Sequence, residues 1–127
     1  MKEFMLLIRN QGEHLQDLSP DDHEQFLKAC EVYINNLKQQ GKLLSAQPME
    51  RQGKMISGTK GNWQDGPFNE NKEVIVGYYH IRANDIDDAV SIAKGNPEFA
   101  YTQTAKIEVR PIKMKEETTS FVYPQGK

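Results

Sequence analysis

The stretch Glu73-Val74-Ile75-Val76-Gly77-Tyr78-Tyr79-His80-Ile81-Arg82 decides the fold. β-branched and aromatic side chains suit a pleated, packed surface, so the segment predicts a long strand. Alternation puts Val74, Val76, Tyr78 and His80 on one face, and Glu73, Ile75, Gly77, Tyr79 and Ile81 on the other. Both faces are apolar, which is the pattern of a strand covered on both sides.

Working outward, Asn84-Asp85-Ile86-Asp87-Asp88 is an acidic helix start, and Ile86, Ala89, Val90 and Ala93 follow at helical spacing. Gly95-Asn96-Pro97 stops that helix. After a loop, Ala105 to Ile112 is a final strand, with Ile107 and Val109 facing one way and Lys106, Glu108 and Arg110 the other. Upstream, Lys2 to Arg9 is a strand with Phe4, Leu6 and Ile8 opposite Met5 and Leu7. Ser19 caps a long helix that opens on Pro20-Asp21-Asp22. Phe26, Cys30, Tyr33, Ile34 and Leu37 form its apolar stripe, and Gly41 closes it. Leu43 to Gln47 is a short strand ended by Pro48. Lys54-Met55-Ile56-Ser57 reads as one arm of an inserted hairpin.

The element order predicts an α+β, ferredoxin-like βαββαβ domain with an antiparallel sheet and both helices on one face. Strands apolar on both sides then require a second cover, and a second copy of the chain is the economical one. The expected dimer face carries Val74, Val76, Tyr78 and His80. Residues 115–127 form a tail that is either disordered or an extra strand on the partner.

Composition narrows the function classes. The 127 residues carry 16 Lys and Arg against 18 Asp and Glu, a formal charge of −2. No basic field exists to hold a phosphate backbone, so nucleic acid is not an expected partner. The longest apolar run, Phe4 to Ile8, is too short for a membrane span or signal core, which predicts a cytoplasmic protein. Cys30 is the single cysteine, and His14, His23 and His80 are scattered, so no metal or other cofactor is expected.

Asp65-Gly66-Pro67-Phe68, Asn71-Lys72-Glu73, Gly77-Tyr78-Tyr79 and Glu108-Val109-Arg110-Pro111 together resemble the DGPF-type branch of the YCII-related proteins. Met5 to Ile8 and the Ser19-Pro20 helix start fit the same pattern. The resemblance covers residues 1–114 as one domain. It implies a dimeric α/β-barrel, in which two ferredoxin-like sheets pack face to face, and a small bacterial protein, some relatives being encoded beside alternative sigma factors. In the branch with a proposed active site, a histidine on the first helix pairs with an aspartate. Here Cys30 occupies that stretch, Gln47-Pro48 stand where an acid would be sought, and His23 lies too early, so the dyad is not expected.

The candidate site is therefore the cleft between sheet and helices. Asp65 and Glu73 are the candidate proton carriers, and Lys72, Gly77, Tyr79 and Arg110 the candidate ligand-binding residues. Gly77 leaves a gap in its face, open to a small ligand or to a close helix. Arg110 can grip a carboxylate at two points, or pair with Glu73 or Glu108. Asp65-Gly66-Pro67-Phe68 also has a reading without a ligand, as a tight Asx-type turn anchored by Phe68. Cys30 reads as core and His80 as an interface residue. Two functions stay open: acid/base chemistry on a small polar or acidic metabolite, or a non-catalytic ligand-binding or regulatory accessory.

Overall fold

The computed structural model describes residues 1–11, 14–68 and 72–124; Asn71 of the motif above lies outside them. The elements are β1 (Lys2–Gln11), α1 (Pro20–Gln39), β2 (Leu43–Pro48), β3 (Lys54–Thr59), β4 (Asn62–Pro67), β5 (Glu73–Ala83), α2 (Ile86–Lys94), a single turn α3 (Glu98–Tyr101) and β6 (Lys106–Pro111). Strands β2, β5, β1 and β6 lie side by side in that order, every neighbouring pair antiparallel. The arrangement is α+β and compatible with a ferredoxin-like fold.

Local chemistry sets the helix ends as the residues predict. Ser19 Oγ accepts from the Asp22 N–H, and Asp85 caps α2 through the Asp88 N–H. Gly41, just beyond α1, has φ +70°, a conformation that glycine adopts without penalty. The helices cover one sheet face, where Phe4, Leu6, Ile8, Tyr79, Ile81, Ala83, Leu37, Ala89 and Ala93 form the core. Phe4, Leu6 and Ile81 are the large apolar side chains hidden most completely, each contributing about 1.5–3 kcal/mol by burial.

A β-bulge changes the faces of the long strand. Ile8 pairs with Gly77, but Arg9 pairs with Ile75, so Val76 is an extra residue on β5. An inserted residue reverses the alternation beyond it. Val74 therefore sits opposite buried Asn10 on the helix side, and Ile75 and Glu73 move to the open side with Arg9 and Gln11. This corrects the expected faces: Glu73 does not share one with Gly77 and Tyr79, and Val74 does not belong with Tyr78 and His80. The open side carries Met5, Leu7, Ile75 and Tyr78, all half-buried, with ion pairs around them. These join His80 Nε2 to Glu3 (2.7 Å), Arg9 to Glu108 (3.0 Å) and Lys106 to Glu73 (2.9 Å).

The inserted hairpin is present, and Asp65, Gly66 and Pro67, expected as a tight turn before the long strand, are extended instead. They form the end of β4, paired with Ile56, Met55 and Lys54. The chain reverses at residues 59–62, where Gly58 and Gly61 supply φ values of +119° and +83°. The cause is the pairing itself: the ladder with β3 runs on to Lys54 and Pro67, which holds Asp65 and Gly66 extended. Phe68 is half-buried, with its ring against Gly53. The tail folds on itself through a Lys115–Val122 bridge and an edge-to-face contact between Phe121 and Tyr123.

Candidate functional site

A cavity of about 290 Å³ opens between α1, β2 and β5. Its walls include Ile8, Leu15, Phe26, Ile34, Ala46 and Val76, and its polar residues are His14, Cys30, Gln47, Tyr78, Tyr79, Asn96 and Glu98. The volume is at the small end for ligand pockets, which run from about 300 to 1,000 Å³.

The polar end of the cavity is built from both termini of the fold's core. Asn10 is the last inward-facing residue of β1 and is fully buried. Its Nδ2 donates to Glu98 Oε1 and to Thr102 Oγ1, both at 3.0 Å. Its Oδ1 accepts from Thr104 Oγ1 (2.6 Å) and from the Gln11 N–H (2.8 Å). One side chain thus pins the turn α3 and the loop after it against the end of β1. Glu98 is only 6% exposed, and a buried carboxylate needs partners to remain charged. His14 Nε2 supplies the second, 2.8 Å from the same Oε1. His14 Nδ1 faces the Gln11 carbonyl at 3.1 Å, so both ring nitrogens face acceptors. An Nδ1–H would donate to the Gln11 carbonyl, and a proton between Nε2 and Oε1 would make that contact attractive as well.

Asn96 precedes α3, and its Oδ1 accepts the Glu98 N–H at 2.9 Å. That bond fixes which end of the amide is oxygen. Its Nδ2 is buried beside the Tyr33 and Tyr79 phenols. The Tyr79 phenol is driven well above its ordinary range by burial, and next by Cys30 and Glu98 pulling the same way against the nearby Asn96 amide. Tyr33 is raised too, chiefly by burial, and its hydroxyl donates to the Ile92 carbonyl at 2.6 Å. Burial, with the charge of Glu98, pushes the Cys30 thiol up to about 11. A protonated thiol is a poor nucleophile at neutral pH. Cys30 is accordingly half-buried cavity wall, rather than the closed core that the stripe on α1 implies.

The candidates read from the sequence separate in space. Gly77 and Tyr79 line this cavity; Asp65, Lys72, Glu73 and Arg110 are not among its wall residues. Arg110 is exposed on the open face, 3.8 Å from Glu108, and Glu73 reaches Lys106. Gly77 leaves no gap either: a Cβ there would lie 3.1 Å from the Gln47 carbonyl oxygen and 3.3 Å from the Pro48 Cα. The space is taken by the β2 backbone. His14 and Glu98 were missed because they lie far apart in sequence, on a turn and on a segment read as loop. One signal could have found them. Asn10 extends the inward series Phe4, Leu6, Ile8, and a polar residue in an apolar series demands buried partners.

The family model for the YCII-related domain matches residues 2–114. The chain belongs to the YCII-related family. No curated protein matches it. Within this YCII-related domain no helix is long and apolar enough to cross a membrane, and no group of three His, Cys, Asp or Glu could hold a metal, among the described residues.

Proposed function

We propose that this protein is a cytoplasmic member of the DGPF branch that moves a proton on a small molecule held in the cavity, with His14 and Glu98 as the acid/base pair. The observation that carries the reading is the 2.8 Å contact between His14 Nε2 and Glu98 Oε1 in the cavity wall, their side chains 11% and 7% exposed. A histidine–carboxylate pair holds one transferable proton: one partner takes a proton from the substrate while the other can return one. The apolar walls exclude water and strengthen each charge interaction within. The pairing resembles the histidine–acid dyad of the YCII branch, with the histidine before the first helix and Glu98 as the acid. Asp65 and Glu73, the earlier candidates, remain available only for chemistry outside this cavity.

The same proposal includes a homodimer through the open sheet face. The half-buried Met5, Leu7, Ile75 and Tyr78 support it, because an apolar strip of this kind at the centre of a sheet favours a cover.

Deuterium uptake from D2O into a panel of small carbon acids, comprising ketones, lactones and nitroalkanes, tests the chemistry. The wild type should catalyse uptake into at least one, and Glu98→Gln should slow it by about 10²–10⁴-fold, the usual range for one acid/base group. Equal rates in the two proteins, or no uptake into any compound, would overturn the reading.

A further inference from the structure

The hairpin of β3 and β4 stands apart from the main sheet as a two-stranded sheet of its own. Among the described residues, neither strand packs substantially against any other element. Every residue of β3 is exposed, and in β4 only Gly66 is partly covered. The hairpin nevertheless carries three large apolar side chains, Met55, Ile56 and Trp63, at 62%, 69% and 65% exposure. Ile56 pairs with Asp65 and Gly58 with Trp63, so Ile56 and Trp63 share one face, and Met55 lies on the other. A lone two-stranded hairpin is marginal in water, and neighbouring exposed apolar groups mark an interaction surface.

Area, reach and charge point to a second copy of this chain as the occupant. Alternation along the four strands gives the open sheet face about 15 side chains, against roughly 20–30 a side in a stable interface. Its apolar part is the strip Met5, Leu7, Ile75 and Tyr78, and ion pairs surround it. A dimer through that face alone is short of apolar contact, and the hairpin carries what is missing. The hairpin is inserted between β2 and β5 and leaves the sheet where Pro48 pairs with Gly77. Six extended residues span about 20 Å, twice the roughly 10 Å that separates packed sheets, so the hairpin can cross to a facing copy. Two-fold symmetry then has each copy give one arm and receive one. Lys54, Lys60 and Asp65 nearly balance, so the hairpin has no field to favour a nucleic acid or an anionic membrane instead.

We infer that the β3–β4 hairpin is a dimerisation arm, which lies across the second copy and buries Ile56 and Trp63 against it. The inference rests on the proposed dimer and adds to it the element that makes the sheet-to-sheet contact large enough to last. The arm is independent of the proton chemistry at His14 and Glu98.

Trp63 is the single tryptophan of the chain, so its fluorescence reports on the arm alone. Acrylamide quenching is measured on the native protein and on the chain unfolded in urea, with light scattering on the same native samples. In the wild-type dimer the quenching constant should be about a third of the unfolded value or less, because a packed interface excludes solvent. In the monomer, reached by dilution or by Leu7→Glu, it should approach the unfolded value. Ile56→Glu changes a residue exposed in the single chain, and should raise the dimer dissociation constant about tenfold or more, the loss expected of an interface anchor. A dimer whose Trp63 is quenched as in the unfolded chain, or an unchanged dissociation constant for Ile56→Glu, would overturn the arm and leave the dimer standing. Protection that persists in the monomer would mean that the hairpin folds onto its own chain, and would overturn the arm as well. A wild type that is monomeric at every concentration would remove the dimer and the arm together.

Discussion

Asn10→Ala should destabilise the protein by about 3 kcal/mol, the sum of one lost bond to a charged group (about 1.5–3 kcal/mol) and one to a neutral one (about 1 kcal/mol). The count follows from what each partner can find afterwards. Thr104 is exposed and can turn to water, as can the Gln11 N–H at the strand end. Thr102 Oγ1 retains its bond to the Glu98 carbonyl at 3.1 Å. Glu98 is the group left wanting: it keeps His14 but loses the donor that Asn10 brought from 88 residues away. For a chain of this size the loss corresponds to a fall in Tm of roughly 12 °C, at about 4 °C per kcal/mol. Urea unfolding followed by circular dichroism measures it directly. Asn10→Asp keeps the shape but sets an acceptor against the Glu98 carboxylate, and should be worse than alanine at neutral pH. A loss below about 1 kcal/mol for both variants, within the range of an ordinary surface change, would refute the view that Asn10 holds the polar end of the cavity together.

Two further outcomes are expected. In the folded protein the Cys30 thiol keeps its proton up to about pH 11, whereas an unfolded chain loses it near 8.5–9. The unfolded state binds fewer protons in that window, so stability should fall as pH rises from about 9 to 11. Cys30→Ser should flatten that slope in denaturation curves; an unchanged slope would leave Tyr33 and Tyr79, raised in the same direction, as the cause. Light scattering should give twice the mass of one chain for the wild type and a lower mass for Leu7→Glu, which places a charge at the centre of the open face; a wild-type monomer would remove the dimer.

What the sequence revealed and what it hid have separate causes. Strand β5, helix α1 and both helix caps carry strong local signals: a β-branched run, a Ser-Pro-Asp-Asp start and an Asn-Asp cluster. Such signals are read within one turn or strand, and the structure places these elements where they point. The bulge at Val76 has no local mark, because Val74, Ile75 and Val76 are interchangeable in hydropathy and alternation runs straight through them. One extra residue then moved Glu73 out of the cleft and Val74 into it. The candidate site failed for a related reason. Glu73, Asp65 and Arg110 attract notice as charged residues at element ends, yet pairing with Lys106 and Ile56, or exposure on the open face, accounts for where they lie. His14 and Glu98 meet through tertiary structure alone, brought together by Asn10.

The central claim is that His14 and Glu98 share a proton at the wall of the cavity. Long-range 1H–15N NMR of the histidine rings tests it most directly, with His23 on the first turn of α1 as an internal reference. The account predicts that at neutral pH Nδ1 of His14 bears a proton held by the Gln11 carbonyl, and that its Nε2 resonance differs clearly from that of His23. Glu98→Gln should move the Nε2 signal toward the His23 value, while both signals of His23 stay in place. A His14 ring with the same spectrum as His23, unchanged by Glu98→Gln, would contradict the account.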